Sequence, residues 1–292
     1  MLRVLSPILL LLVFGSLSAA EPMKPAIEEQ PKDPKAVKIV LIAGSNFFKV
    51  GEHEYLAGCA VLADLLKQTP NVAPVLALDW PKNEETFKGA KAVVFLFDGG
   101  PKHALLKEDR LAQVRKLADA GVGLVHFHQV IDYPKDLGDR ARGWTGAAWE
   151  QGHSQRAHWI ADFQKFPEHA ITRGVAPFKI DDGFLTKIRF VPELKGVTPL
   201  LKTASPKAAE GVAASNDAIV AWAYERKDGG RAFTFTGMHL HVSFAEEGYR
   251  RFLVNGILWA AGVEIPKEGA PVKLAADDLK KYLDLREIPK GK

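Results

Sequence analysis

Short apolar runs that alternate with segments of helical spacing constrain this chain more than anything else in it. Val37–Ala43, Ala73–Leu78, Ala92–Phe97 and Gly121–His128 are apolar almost throughout and rich in β-branched residues. A strand that is apolar on both faces must be covered on both, which a parallel sheet with crossover helices achieves. Tyr55–Gln68 and Leu105–Ala120 carry the i, i+3, i+4 spacing of such helices. The expected fold class is therefore α/β, a doubly wound and mainly parallel sheet between two helical layers.

The ends of the chain read differently. Arg3 is the only charge in residues 1–20, where an apolar run from Val4 to Phe14 is followed by Gly15, Ser16, Ser18, Ala19 and Ala20. That pattern is a secretory leader cleaved after Ala20, too short to span a bilayer comfortably, so the mature protein is expected to be exported, periplasmic or extracellular. Losing the leader lowers the formal charge from +4 to +3. Lys and Arg are interspersed with Asp and Glu, with no basic stripe, so nucleic acid is not an expected partner. Residues 21–36 hold four prolines among alternating charges and read as an extended linker. The folded domain is expected over 37–265, with a surface tail at 266–292.

The middle, Tyr133 to Asp217, loses the alternation. It reads as an insertion with antiparallel edge strands such as Lys187–Val191 and Thr198–Thr203, of which residues 133–165 form a lid over one end of the sheet. Regular structure returns at Ala218–Tyr224, the Asp228-Gly229-Gly230 turn, Ala232–Thr236 and a helix over Ala245–Ala261, with Gly262 at its C-terminal cap.

Open parallel sheets bind ligands at the carboxyl ends of their strands. Glu52, His53 and Glu54 follow the first strand, Asp98 follows the third, His126 and His128 end the fourth, and His239 and His241 follow the last. On a strand, residues i and i+2 share a face, so each His-x-His pair is expected to aim two imidazoles at one point. His126, His128, His239 and His241 are thus the expected ligands of a divalent metal (Zn, Mn or Fe), with His53 or His153 able to replace one of them. Glu52, Glu54 and His53 are the candidate catalytic groups, a carboxylate acting as general base. Both carboxylates could equally cap the helix that follows. Asp98, Trp144, Trp149 and His153 are candidate substrate contacts, although tryptophans also pack insertions down. Cys59 falls on the core-facing stripe of its helix and reads as a buried thiol. No Gly-x-Ser-x-Gly elbow, Gly-x-Gly-x-x-Gly loop or Walker pattern is present, so no nucleotide cofactor is expected.

Gly51-Glu52-His53-Glu54-Tyr55, the segment His169–Gly174, and Gly230–Phe233 leading through Gly237-Met238-His239 to Phe252–Gly262 resemble the ThuA-like (trehalose utilisation) family. The resemblance implies a flavodoxin-like three-layer α/β/α sandwich, mainly parallel with antiparallel edge and insertion strands, related to class I glutamine amidotransferases. It also implies a link to disaccharide and keto-sugar use. Those relatives use a cysteine at a strand-to-helix elbow and a late histidine followed two residues on by a glutamate. Here the elbow reads Val125-His126-Phe127-His128-Gln129 and the late block His239-Leu240-His241, so glutaminase chemistry is not expected. The expected function is metal-assisted isomerisation or elimination of a small carbohydrate, and the alternative is a non-catalytic sugar-binding or scaffold protein. No oligomeric state is assigned.

Overall fold

The computed structural model describes residues 24–45, 48–205 and 215–283. The leader assigned to residues 1–20 lies outside them. The first half of the chain builds β1 (Val37–Ala43), α1 (Tyr55–Leu66), β2 (Val72–Leu78), β3 (Ala90–Leu96), α2 (Arg110–Asp119) and β4 (Gly123–Phe127). The middle adds α3 (Gly138–Thr145), β5 (Ala147–Ala148), β6 (Gln155–Phe163), β7 (Phe178–Thr186), β8 (Arg189–Phe190) and β9 (Val197–Ser205). β10 (Ser215–Glu225), β11 (Arg231–Phe235) and α4 (Glu247–Ala260) complete it.

Seven strands form one sheet in the order β2-β1-β3-β4-β11-β10-β9, parallel from β2 to β11 and antiparallel at β10 and β9. Alternation within the strands sorts the core into two layers. Ile39, Leu41, Val94 and Val125 face α1 and α4, whereas Val40, Phe95 and Leu124 face α2 and α3. Each fully buried Leu, Ile, Val or Phe contributes about 1.5–3 kcal/mol relative to exposure, which is why runs apolar on both faces settle in the centre of the sheet. α4 stops where Gly262, at φ +73°, lets the Val263 N–H reach the Leu258 carbonyl at 2.9 Å.

Two expected elements differ. The helix expected over Leu105–Ala120 is a short turn at Ala104–Leu106 and then α2, because Glu108 takes a left-handed φ of +52° and interrupts the ladder. Within the supposedly irregular middle, β6 and β7 pair antiparallel over all nine residues of each strand. β6 alternates Arg156, His158, Ile160 and Asp162 outward with Trp159, Ala161 and Phe163 inward, a half-buried pattern that its charged face disguises.

The extended segment from residue 24 runs beside the sheet edge. Ile27 bridges to Leu76, and the Glu28 carboxylate accepts from the Lys82 and Asn83 amides at 2.9 and 2.8 Å. The tail crosses α1, with Tyr282 donating to Asp64 at 2.7 Å. Both additions cover the β2 side of the sheet, an edge that would otherwise offer unpaired backbone. Among the described residues no helix is long and apolar enough to cross a membrane.

Candidate metal centre

Three loops meet at the carboxyl edge of the sheet. The loop after β1 is zipped to the loop after β11: the His53 N–H donates to the His239 carbonyl at 2.8 Å, and the His241 N–H to the Gly51 carbonyl at 2.9 Å. His128, the first residue after β4, completes the group. Ring centroids are 4.4 Å apart for His53 and His239, 4.8 Å for His53 and His128, and 5.4 Å for His128 and His239. One ring nitrogen from each of the three lies within 4.8 Å of the other two. His53 and His128 are buried and His239 is half-buried.

The four-histidine set expected from the two His-x-His pairs does not come together. The period-two rule holds only inside a strand; His126 and His128 straddle the end of β4, and His239 and His241 both lie beyond the end of β11 at Phe235. His128 has φ +55°, which swings its ring towards His53 and His239. His126 stays in the strand on the α2 side of the sheet, fully buried, with Nε2 at 2.8 Å from the Tyr133 hydroxyl. After β11, Met238 at φ +75° turns His239 into the cluster. His241 faces the tail instead, its Nε2 at 2.9 Å from the Leu279 carbonyl and its ring against Phe244. The structure therefore brings together one histidine of each pair and adds His53, itself at φ +49°. His153 sits exposed in a turn, apart from the cluster.

Left-handed backbone at three non-glycine positions costs about 1–3 kcal/mol each and persists only where surroundings impose it. Asp182, which sequence patterning missed, supplies much of that restraint. Its carboxylate, fully buried in β7, accepts from the amides of Gly183, Met238, His239 and Leu240 at 2.9–3.0 Å. Burial pushes this carboxyl up to about 7, against the pull of those amides. The neighbouring Gly183 leaves room for the ligand: a Cβ there would lie 3.0 Å from His239 Cγ.

The donor chemistry fits a metal. Burial holds His53 down to about 3, with the neighbouring His239 and Arg156 acting in the same direction. Burial also holds His128 well below, and His239 below, the ordinary histidine value. All three rings are therefore neutral near neutral pH, the form that ligates. The His128 Nδ1–H donates to the Thr236 carbonyl at 3.0 Å, and its Nε2 is buried with no hydrogen-bond partner. A bare imidazole lone pair, sealed from water beside two more neutral imidazoles, is a donor set suited to Zn or Fe. With three nitrogens and no carboxylate in the set, oxygen-preferring Mn is the poorest match of the three metals expected.

The other expected site residues take several roles. Glu54 accepts from the Gly51 amide at 2.7 Å and closes the loop ahead of α1. Glu52 bridges to Leu240 through the backbone, and its charge raises the proton affinity of His239. Tyr55 links His53 to Asp98: its oxygen is 3.1 Å from His53 Nδ1, and it donates to Asp98 Oδ1 at 2.5 Å. Trp144 is packed into the core beside α2, and Trp149 is buried under the Arg156 guanidinium, 4.3 Å above its ring. Neither offers a sugar an open face. Arg156 also pairs with Asp132, and His158, two residues along β6, lies with its ring 5.6 Å from that of His239.

Over residues 39–260 the chain matches the family model described as trehalose utilisation, ThuA. The chain belongs to that family. A ThuA-like protein from Parabacteroides merdae shares its fold with a TM-score of 0.56 at 15% identity, over 84% of this chain and 99% of that one. Another, from Bacteroides uniformis, gives 0.52 at 16% identity over 86% and 99%. A glutamine amidotransferase from Thermotoga maritima aligns with a TM-score of 0.43 at 10% identity, over 77% of this chain and 96% of that one. No curated protein sequence matches.

In this ThuA family member the turn after β4 carries His128, and the single cysteine lies elsewhere. Cys59 is fully buried in α1, and burial pushes its thiol far above the ordinary range, so no thiolate is available. A cavity of about 380 Å³ opens between the ends of β1 and β3, where the strand order reverses, lined by Ser45, Asp98 and Lys102 among others.

Proposed function

We propose that this ThuA family member is an exported protein that holds a divalent metal on His53, His128 and His239 and acts on a keto-sugar by isomerisation or elimination. The carrying observation is the buried, unpartnered Nε2 of His128 beside two further neutral imidazoles. The family description supports the carbohydrate class, and the leader-like residues 1–20 support export. A divalent ion held there would polarise a carbonyl or hydroxyl oxygen of the sugar.

The chain's own groups supply the rest. Arg156, steadied by Trp149 and Asp132, is the cation placed to face negative charge developing on the sugar oxygen. Glu52, whose charge acts on His239 at the rim of the cluster, is the carboxylate assigned to accept the carbon-bound proton.

The test is proton exchange in heavy water. Tag-free protein, metal-loaded or chelator-treated, is incubated with a panel of keto-sugars and disaccharides and followed by proton NMR. The expected result is loss of the signal from the C–H next to the carbonyl, about a hundredfold faster with metal than without. Line broadening with no exchange or turnover across the panel would establish the binding-protein alternative instead.

A further inference from the structure

We infer that Tyr55 and Asp98 are positioning residues of the metal centre, fixing which nitrogen of His53 carries its proton and therefore which one is free for a metal. The inference rests on the three-histidine reading. It follows from counting hydrogens along one buried chain of contacts.

The Asp98 carboxylate accepts from Tyr55 and does not donate to it. The Tyr55 hydroxyl has a single hydrogen, and the 2.5 Å separation from Asp98 Oδ1 places that hydrogen on the carboxylate contact. The other contact of the same oxygen, 3.1 Å from His53 Nδ1, must then be filled by an N–H pointing at the tyrosine. A neutral imidazole has only one such hydrogen, so the lone pair is left on Nε2.

His128 shows the same arrangement with a different partner. Its Nδ1–H is held by the Thr236 carbonyl, and its Nε2 is bare. Two histidines on separate loops thus have their protons drawn to Nδ1 by independent acceptors, and each has its Nε2 lone pair left for ligation. Acceptors of this kind behind a ligating histidine set ring orientation and basicity, and their loss typically costs about 10–100-fold in metal affinity. The sequence places them compactly. Tyr55 is two residues beyond His53 at the first position of α1, and Asp98 is two residues beyond the end of β3. Asp98, expected as a substrate contact, is in this account a determinant of metal affinity.

The test uses the full chain without a tag, stripped by chelator and checked for folding by thermal unfolding. Long-range proton–nitrogen NMR of the histidine rings near neutral pH is expected to show His53 protonated at Nδ1 in the wild type. In Tyr55→Phe the ring is expected to shift towards the Nε2-protonated form. Competition against a chromophoric chelator is expected to show zinc affinity about 10–100-fold weaker in Tyr55→Phe. Asp98→Asn is expected to shift affinity the same way by less, since its carbonyl still accepts from Tyr55 without the charge. Tyr133→Phe, the same change behind His126, is expected to leave zinc affinity unaltered.

Wild-type His53 protonated at Nε2 overturns the inference even if Tyr55→Phe fails to fold. Tight zinc binding by the wild type that neither Tyr55→Phe nor Asp98→Asn weakens overturns it and leaves the three histidines standing. A wild type that binds no zinc overturns the three-histidine reading and this inference with it.

Discussion

Asp182→Ala is expected to destabilise the fold by about 2–4 kcal/mol and to weaken metal binding together with it. The four amides that converge on this carboxylate belong to Gly183 and to the loop that carries His239. Deleting their acceptor strands several buried donors, each costing about 1–3 kcal/mol, offset in part by water entering the space. The same loop holds Met238 at φ +75°, so releasing the amides loosens the turn that aims His239 at His53 and His128. Urea denaturation and zinc competition on the same preparation check both parts. A loss below about 0.5 kcal/mol, the range of neutral surface changes, would show that the loop is held by its pairing with Gly51–His53 instead.

The second large effect is acid lability. His103, His126 and His128 are almost wholly buried, and burial lowers all three below the ordinary value of 6.5, to about 4 for His103 and about 3 for His126. The sign follows directly. As pH falls below 6.5 the unfolded chain takes up protons that these folded rings refuse, so stability falls from there towards the folded values. Each ring contributes at most about 1.4 kcal/mol per pH unit. Asp182 works the other way: its folded value, about 7, lies above its unfolded one, so the folded state gains stability as pH falls through that range. With His53, held down to about 3, four rings against one carboxyl leave a net loss of up to about 4 kcal/mol per pH unit. A domain with about 5–15 kcal/mol in hand is then expected to unfold between about pH 5 and pH 4. Urea midpoints measured from neutral pH downwards test this, and a flat profile to pH 4 would mean that these rings are hydrated or already charged.

Much of the fold was legible because two-sided burial leaves a plain mark. β1 occupies the seven residues that its apolar run marks out, Val37–Ala43, and the other central strands differ only at their ends. β6 and β7 were not legible as a hairpin, since their outer faces carry Arg156, His158, Asp162, Lys179 and Asp181 among apolar inner residues. At the carboxyl edge the sequence pointed to the loops that meet, but not to which of their histidines face one another. Strand periodicity was carried past the ends of β4 and β11, to His128 one residue beyond Phe127 and to His239 and His241 four and six residues beyond Phe235, where left-handed residues at His128 and Met238 abolish it. His53 could be read as a replacement ligand because it precedes a helix, but its pairing with His239 is a long-range backbone contact that no local pattern encodes. Asp182 left one trace, an acidic residue at an inward position of an otherwise apolar alternation in Phe178–Thr186.

The most direct test of the account is metal stoichiometry in the tag-free full chain. Protein stripped by chelator, dialysed against zinc and washed is analysed for metal per chain, alongside His128→Gln, His126→Gln and His241→Gln. The account predicts one zinc per wild-type chain, lost in His128→Gln and retained in the other two. No bound metal in the wild type, or loss in His126→Gln and His241→Gln with retention in His128→Gln, would contradict it.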